Sequence, residues 1–345
     1  MKYPKKWKQT IIKSSATLKH AVESLNKSAL KIVLIVDEDN KFIGTIVDGD
    51  IRRALLRGLS LENNILQVVN KDSLTVNDKT ASSDIYQLMK KNKIQQIPVI
   101  NEKRKLVGLE VDDILRNEKS LDNDFIIMAG GRGKRLKPLT NRIPKPMIEV
   151  RGKPIIDHII HRAIDDGFKK FTISVNYLSH IIKNHLGDGN KLGVTIKYIE
   201  ESEPLGTAGS LSLLSTNPKR NIVISNGDVL TNINYSDMLE FHTVNQADAT
   251  MAVSLFEWGN PYGVVTLDGI LLKSFEEKPT SNFLVNAGMY VLSPNALSQI
   301  PKQQYLDMPF FLDTLKTKGY KVVAFPTHES WLDIGKPEDL KKTRG

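Results

Sequence analysis

Between Arg132 and Lys153 the chain sets Arg132, Lys134, Arg135, Lys137, Arg142, Lys145, Arg151 and Lys153 against a single acid, Glu149. Just ahead of this cluster, the apolar run DFIIM ends at Ala129, Gly130 and Gly131, and Gly133 follows. Glycines at a strand end let backbone amides approach an anion without Cβ interference. Together the two features suggest a polyphosphate ligand. Two nucleotide loops fail on spelling. A Walker loop needs Ser or Thr after Gly133-Lys134, where Arg135 stands. A dinucleotide fingerprint needs a third glycine where Leu136 stands.

The elements that must hold this loop follow from patterning. From Asp124 onward, extended and helical segments alternate, which predicts an α/β part over 124–345 with a mainly parallel sheet and its site beyond the strands' C-terminal ends. The polar, aperiodic stretch 119–123 reads as a linker. Residues 1–118 contain a repeat: KIVLIVDEDNKFIGTIVDGDI from Lys31 matches QQIPVINEKRKLVGLEVDDIL from Gln95 in pattern. Each copy reads as strand, polar turn, strand entered through Gly44 or Gly108, then acids opening a helix, and each follows an amphipathic segment. A period repeated once predicts two stacked halves rather than a solenoid.

Composition narrows the class. Of 345 residues, 40% are apolar and 25% charged, which is globular rather than disordered. No apolar run is long enough to span a bilayer, and no signal-peptide pattern opens the chain, so no membrane partner and a cytoplasmic setting are expected. The chain has no cysteine, which removes thiolate catalysis, disulfides and zinc ribbons. The net charge of +9 sits mostly in residues 1–120, with 22 Lys+Arg against 15 Asp+Glu. It is diffuse and lacks interleaved aromatics, so no nucleic-acid partner is expected. His158 and His161 stand three apart without an acidic partner at metal-ligand spacing, which reads as a helix face.

The first part resembles a tandem CBS-domain (Bateman) pair, on GTIVDGDI and IPVINEKRKLVGLEVDDIL. The resemblance implies an adenine nucleotide as ligand, with Asp50 on its ribose, and association into a homo-oligomer. The second copy is one residue shorter between Gly108 and Asp113. Capping of helix starts is the other role open to Asp48, Asp50, Asp112 and Asp113.

The second part resembles the sugar-1-phosphate nucleotidyltransferases (nucleoside-diphosphate-sugar pyrophosphorylases), on AGGRGKRLKPLT, PKPM, EPLGTAGSL, SNGDVL, EEKP, NAGMYVL and WLDIGKPEDL in that order. The resemblance implies catalytic roles for Arg135 and Lys145. It implies nucleotide contacts at Ala129, Gly130, Gly131, Gly133, Glu203, Gly206, Thr207 and Ala208. Asp228 and Asp333 become ligands for Mg²⁺, and Glu277, Lys278, Asn286 and Gly288 line the sugar-phosphate side. It also implies GTP as donor, with glucosamine 1-phosphate or a related hexose 1-phosphate as acceptor, in surface-glycan or nonulosonic acid synthesis. The residue types suit that chemistry. Attack of a sugar-phosphate oxygen on the α-phosphorus needs positioning and charge neutralisation rather than a nucleophilic side chain. Two monodentate carboxylates suffice for a magnesium ion that keeps some of its waters. The competing readings are a non-catalytic nucleotide sensor that kept the fold, and a glycosyltransferase, for which the lone Asp of NGDVL supplies too few carboxylates.

Overall fold

The computed structural model describes residues 3–92, 94–112, 120–215, 218–335 and 337–342. The chain divides into two compact units, Met1–Lys119 and Ser120–Gly345.

The first unit is built twice. Strand β1 (Ile11–Lys13) lies parallel to β2 (Ile32–Val36), which turns back antiparallel into β3 (Phe42–Val47). Strands β4 (Val76–Asn77), β5 (Gln96–Ile100) and β6 (Leu106–Val111) repeat the same order and directions. The irregularity repeats too, with a register shift at Ile35/Val36 and again at Val99/Ile100. Helix α1 (Leu18–Ser28) and helix α3 (Ser82–Asn92), either side of α2 (Asp48–Leu56), are the amphipathic segments expected from spacing. Leu18, Ala21, Val22 and Leu25 bury one stripe of α1. The two strand glycines have a steric reason. A Cβ at Gly44 would lie 2.3 Å from the Asn70 carbonyl oxygen, and one at Gly108 would lie 2.3 Å from the Tyr3 ring.

At the start of α2, the Asp50 carboxylate accepts from the Val47 amide at 2.9 Å and from Arg53 Nη2 at 2.5 Å. One oxygen thus caps the helix and the other pairs with Arg53, so capping, one of the two roles open to Asp50, is present. Asp48 accepts from Arg52 Nε at 2.5 Å. Asp112 is buried, and Asp113 lies outside the described residues.

The second unit contains β7 (Leu121–Met128), β8 (Glu149–Val150), β9 (Lys153–Pro154), β10 (Phe168–Val175), β11 (Thr195–Glu200), β12 (Ile222–Asn226), β13 (Val229–Thr231), β14 (Ala249–Gly259), β15 (Val264–Asp268), β16 (Leu271–Glu276), β17 (Thr280–Leu292), β18 (Val322–Thr327) and β19 (Trp331–Asp333). Seven of these form one sheet in the order β11-β10-β7-β12-β17-β14-β18. All run in one direction except β17, which is antiparallel to both neighbours, so the α/β sheet is mixed and mainly parallel. Strand β7 begins at Leu121, paired with Phe168, so residues 121–123 belong to the sheet and not to the expected linker.

A strand covered on both faces must be apolar throughout, and Phe125, Ile126 and Ile127 at the centre of β7 are all fully buried. The Phe125 ring packs edge-on to Tyr235 (4.8 Å between centroids) and Phe168 (5.2 Å). The helix Ile155–Asp165 adds Ile155, Ile156, Ile159, Ile160 and Ala163 to the same core. Among the described residues, no helix is long and apolar enough to cross a membrane.

His242 is 1% exposed, and its Nδ1 lies 2.8 Å from Thr250 Oγ1. Burial lowers its pKa to about 4. The neutral ring is therefore the folded form. The stability it supports is complete above the unfolded value of about 6.5 and drains away as pH falls toward 4, by at most about 3 kcal/mol. We expect the urea midpoint of His242→Gln to fall less between pH 7 and about pH 5 than that of the parent chain. Equal falls would show that another group sets the acid limit.

Candidate active site

The glycine loop leaves the C-terminal end of β7. Ala129 is still anchored, its amide donating to the Ser174 carbonyl at 2.8 Å. Among the described residues, the amides of Gly130, Gly131 and Gly133 have no hydrogen-bond partner in the chain. Open space surrounds the position a Cβ on Gly131 would take. Gly133 has φ +58, and its missing Cβ would press on Thr140 (2.9 Å) and on Lys145 Cβ (3.2 Å). The loop therefore folds back onto the PKPM segment, with Thr140 Oγ1 donating to the Gly133 carbonyl at 2.9 Å and Leu136 buried beneath.

Two carboxylates meet this loop. Strand β13 pairs antiparallel with β19, Val229 opposite Asp333, and the Ile334 amide donates to the Asp228 carbonyl at 3.1 Å. This ribbon sets Asp228 beside Asp333 although they are far apart in sequence. The Lys145 ammonium pairs with Asp228 Oδ2 and lies 3.8 Å from Asp333 Oδ1. Arg135 is exposed, with its Nη1 3.8 Å from where a Cβ on Gly335 would sit, and its charge reaches Asp333. Burial first, and then the like charge of Asp228, raise the Asp333 carboxyl above the usual range, while Lys145 and Arg135 oppose the rise. Arg135, Lys145, Asp228 and Asp333 thus form one cluster. Two adjacent carboxylates closed over by a lysine are a donor set that fits a divalent cation.

The remaining expected residues fall in three places. Gly288 (φ +75) packs on the β12–β13 turn, where a Cβ would meet Asn226 Nδ2 at 2.8 Å. Asn286 bridges it to the core, accepting from the Gly288 amide at 3.0 Å and donating to the Tyr290 hydroxyl at 2.7 Å. Glu277 and Lys278 are exposed between β16 and β17, and Lys278 has φ +46. Among the described residues they make no hydrogen bond or ion pair with the cluster. The LGTAG segment is held by residues 304–308. Thr207 N donates to Asp307 Oδ1 (3.3 Å), Ala208 N to the Leu306 carbonyl (2.9 Å), and Thr207 Oγ1 accepts from the Met308 amide (2.8 Å). Thr207 and Ala208 are two of the residues expected at the nucleotide, and their backbone amides are engaged within the chain. Gly206 (φ +76) allows the close approach, since a Cβ there would lie 2.6 Å from the Leu306 carbonyl oxygen. Glu203 is exposed.

Three further residues build the site: Gly227 and Trp331 stand inside the SNGDVL and WLDIGKPEDL motifs with no role read from them, and Glu201 lies outside every motif. Glu201 accepts from Ser174 Oγ (2.5 Å) and the Leu205 amide (2.9 Å), and its Oε1 lies 2.8 Å from the missing Cβ of Gly130. Gly227 N donates to the Met128 carbonyl at 2.8 Å. Trp331 Nε1 ties β19 to the Ala287 carbonyl at 2.9 Å. A separate cavity of about 490 Å³, lined by Arg151, His158, Arg162, Tyr235 and Trp331 among others, shares the β13–β19 ribbon but none of the four charged cluster residues.

This α/β sheet with its charged loop cluster is that of a nucleotide-handling transferase domain. Residues 125–344 match the Nucleotidyl transferase family, and the chain belongs to it; residues 8–57 and 65–109 each match the CBS domain. The mannose-1-phosphate guanylyltransferase of Mycobacterium tuberculosis is 31% identical over 227 residues, which are 63% of this chain and 62% of that protein. The mannose-1-phosphate guanylyltransferase catalytic subunit beta of Danio rerio is 34% identical over 224 residues, 62% of each. The chain thus spans about 62% of the length of these relatives. The crystal structure of HddC from Yersinia pseudotuberculosis complexed with GMP-PN matches at a TM-score of 0.50 and 28% identity, over 64% of this chain and 97% of that one. The fold is also that of a putative glucose-1-phosphate thymidylyltransferase from Bacillus anthracis, at a TM-score of 0.52 and 21% identity, over 64% and 93%.

Gly227 is where three site segments touch. A Cβ there would lie 2.7 Å from the Met128 carbonyl oxygen, 3.2 Å from Pro146 Cγ and 3.4 Å from Ala129 Cα. No side-chain rotation relieves a clash with a backbone oxygen. We expect Gly227→Ala to lower unfolding stability by about 1 to 3 kcal/mol in denaturant titrations. A neutral result would show that the three segments slide freely.

Proposed function

We propose that the chain transfers GMP from GTP to a sugar 1-phosphate, releasing pyrophosphate, with Mg²⁺ as the metal. The observation that carries this reading is the convergence of Arg135, Lys145, Asp228 and Asp333 beside a glycine loop with unpaired amides. The guanylyl donor is supported by the names of the similar proteins and by the GMP-PN in the HddC complex. For the acceptor we put forward glucosamine 1-phosphate or a related hexose 1-phosphate, mannose 1-phosphate among them because two similar proteins are named for it. The product would feed surface-glycan or nonulosonic acid synthesis in the cytoplasm. In this reading residues 124–345 are catalytic, and residues 1–118 form a regulatory pair that takes an adenine nucleotide and supports a homo-oligomer.

Each residue has a task. The amides of Gly130, Gly131 and Gly133 and the adjoining basic side chains cradle the triphosphate. Arg135 can fork onto two phosphate oxygens where charge builds during in-line attack, which a lysine cannot copy. Lys145 neutralises the carboxylate pair and holds it in register. When bound to Asp228 and Asp333, Mg²⁺ would supply further charge neutralisation of the triphosphate. Glu277 and Lys278 would meet the sugar phosphate, and Asn286 and Gly288 would shape the floor of its site. Glu203 and Gly206 would flank the base.

A pyrophosphate-release assay with GTP, CTP, UTP, ATP and dTTP against several hexose 1-phosphates tests the reading. Release should require both substrates and be fastest with GTP. Arg135→Lys should lower kcat by about 10²- to 10³-fold while the circular dichroism spectrum stays unchanged. Nucleotide binding without release would instead support a sensor that has lost turnover.

A further inference from the structure

Among the described residues, 21 large apolar side chains stand exposed, and 12 of them fall between Phe256 and Leu284. This segment is an arm of the second unit. Strand β14 is flanked by β18 only as far as Ser254, and β17 meets β12 only from Met289 to Leu292. Beyond these points β14 and β17 continue as a two-stranded ribbon, Leu255 opposite Leu284 and Gly259 opposite Thr280. Strands β15 and β16 add a second two-stranded hairpin. Among the described residues, both ribbons have free outer edges.

Cross-strand register places Phe256 opposite Phe283, with Trp258 two residues along on the same face. Their exposures are 47%, 51% and 48%, and Ile270 at the hairpin turn is 97% exposed. Only six of residues 255–285 are charged. A two-stranded ribbon alone in water is marginally stable, and an apolar one with free edges is a template for pairing. Summed over all twelve arm side chains, at roughly 150 Å² each when fully exposed, the open apolar surface is on the order of 1,000 Å² across the faces of both ribbons. A typical monomer's largest apolar patch is about 300 to 600 Å², whereas a stable protein pair buries about 800 Å² per partner.

We propose that this arm is a self-association surface, covered by the same arm of a second copy of the chain in an isologous contact centred on Phe256, Trp258 and Phe283. A self-complementary patch of this size closes on itself about a two-fold axis and leaves no free edge to propagate. The contact is separate from any association through the first unit and does not depend on the transferase reading.

Sedimentation velocity of the full chain across a hundredfold concentration range tests it. The parent chain should self-associate, and the double variant Phe256→Glu/Phe283→Glu should raise the dissociation constant of that step at least about tenfold while keeping its melting temperature and circular dichroism. Hydrogen exchange on the parent chain keeps the test open should the variant fold poorly: amides of residues 255–285 should gain protection as concentration rises. A parent chain that stays monomeric, a variant that associates as the parent does, or arm protection independent of concentration would overturn the proposal. The last result would mean that the arm is covered within one chain.

Discussion

Two carboxylates that repel each other have to be held side by side, and the β13–β19 ribbon does the holding. At about 4 Å, two like charges cost about 1 kcal/mol in water and about 4 kcal/mol where the effective dielectric falls to 20. Left to side-chain freedom, Asp228 and Asp333 would turn apart. The ladder opposite Val229 and the Ile334 amide on the Asp228 carbonyl fix both backbones, so the repulsion falls on protonation and counter-charge rather than on geometry. Burial, and after it the charge of Asp228, raises the Asp333 carboxyl, and Lys145 against both acids offsets the repulsion.

The glycine loop depends on the same arrangement. Lys145 can bridge the acids only because Gly133 has no Cβ to push the PKPM segment away. The acids can approach the loop only because Gly227 lets the NGD turn rest on the Met128 carbonyl and against Pro146. Cationic loop and anionic ribbon are therefore one packed object. A change in any of these small residues would act on charge placement without altering a single charge.

Much of this was legible in the sequence, because the informative residues are local. A strand ending in glycines, a cluster of cations and a spaced repeat all lie within short windows, and the doubled β1-β2-β3 and β4-β5-β6 units carry the repeat down to the shared register shift. What stayed hidden depends on distant partners. Nothing in EPLGTAGSL announces that Leu306 and Asp307 take up its amides, a contact about a hundred residues away. The acids of GTIVDGDI fit two roles by type, and only coordinates show Asp50 bonded to Val47 and Arg53. Residues 121–123 read as linker because a strand edge with Asp122 and Asn123 is polar, yet the backbone pairing there ignores side-chain polarity.

The order of elements adds a further constraint. Between Asp228 and Asp333 the chain builds β14, β17 and β18, three of the seven sheet strands, before returning to close the ribbon. The chain passes through all three before β19 returns to pair with β13, and Trp331 of β19 donates to the Ala287 carbonyl of β17. The carboxylate pair is thus completed late in the chain by non-local pairing, the kind whose loop-closure entropy is spent before any contact is gained. The arm formed by the outer parts of β14 and β17 extends from this same insertion, so whatever steadies the arm bears on the two strands that run from it into the core beside the site.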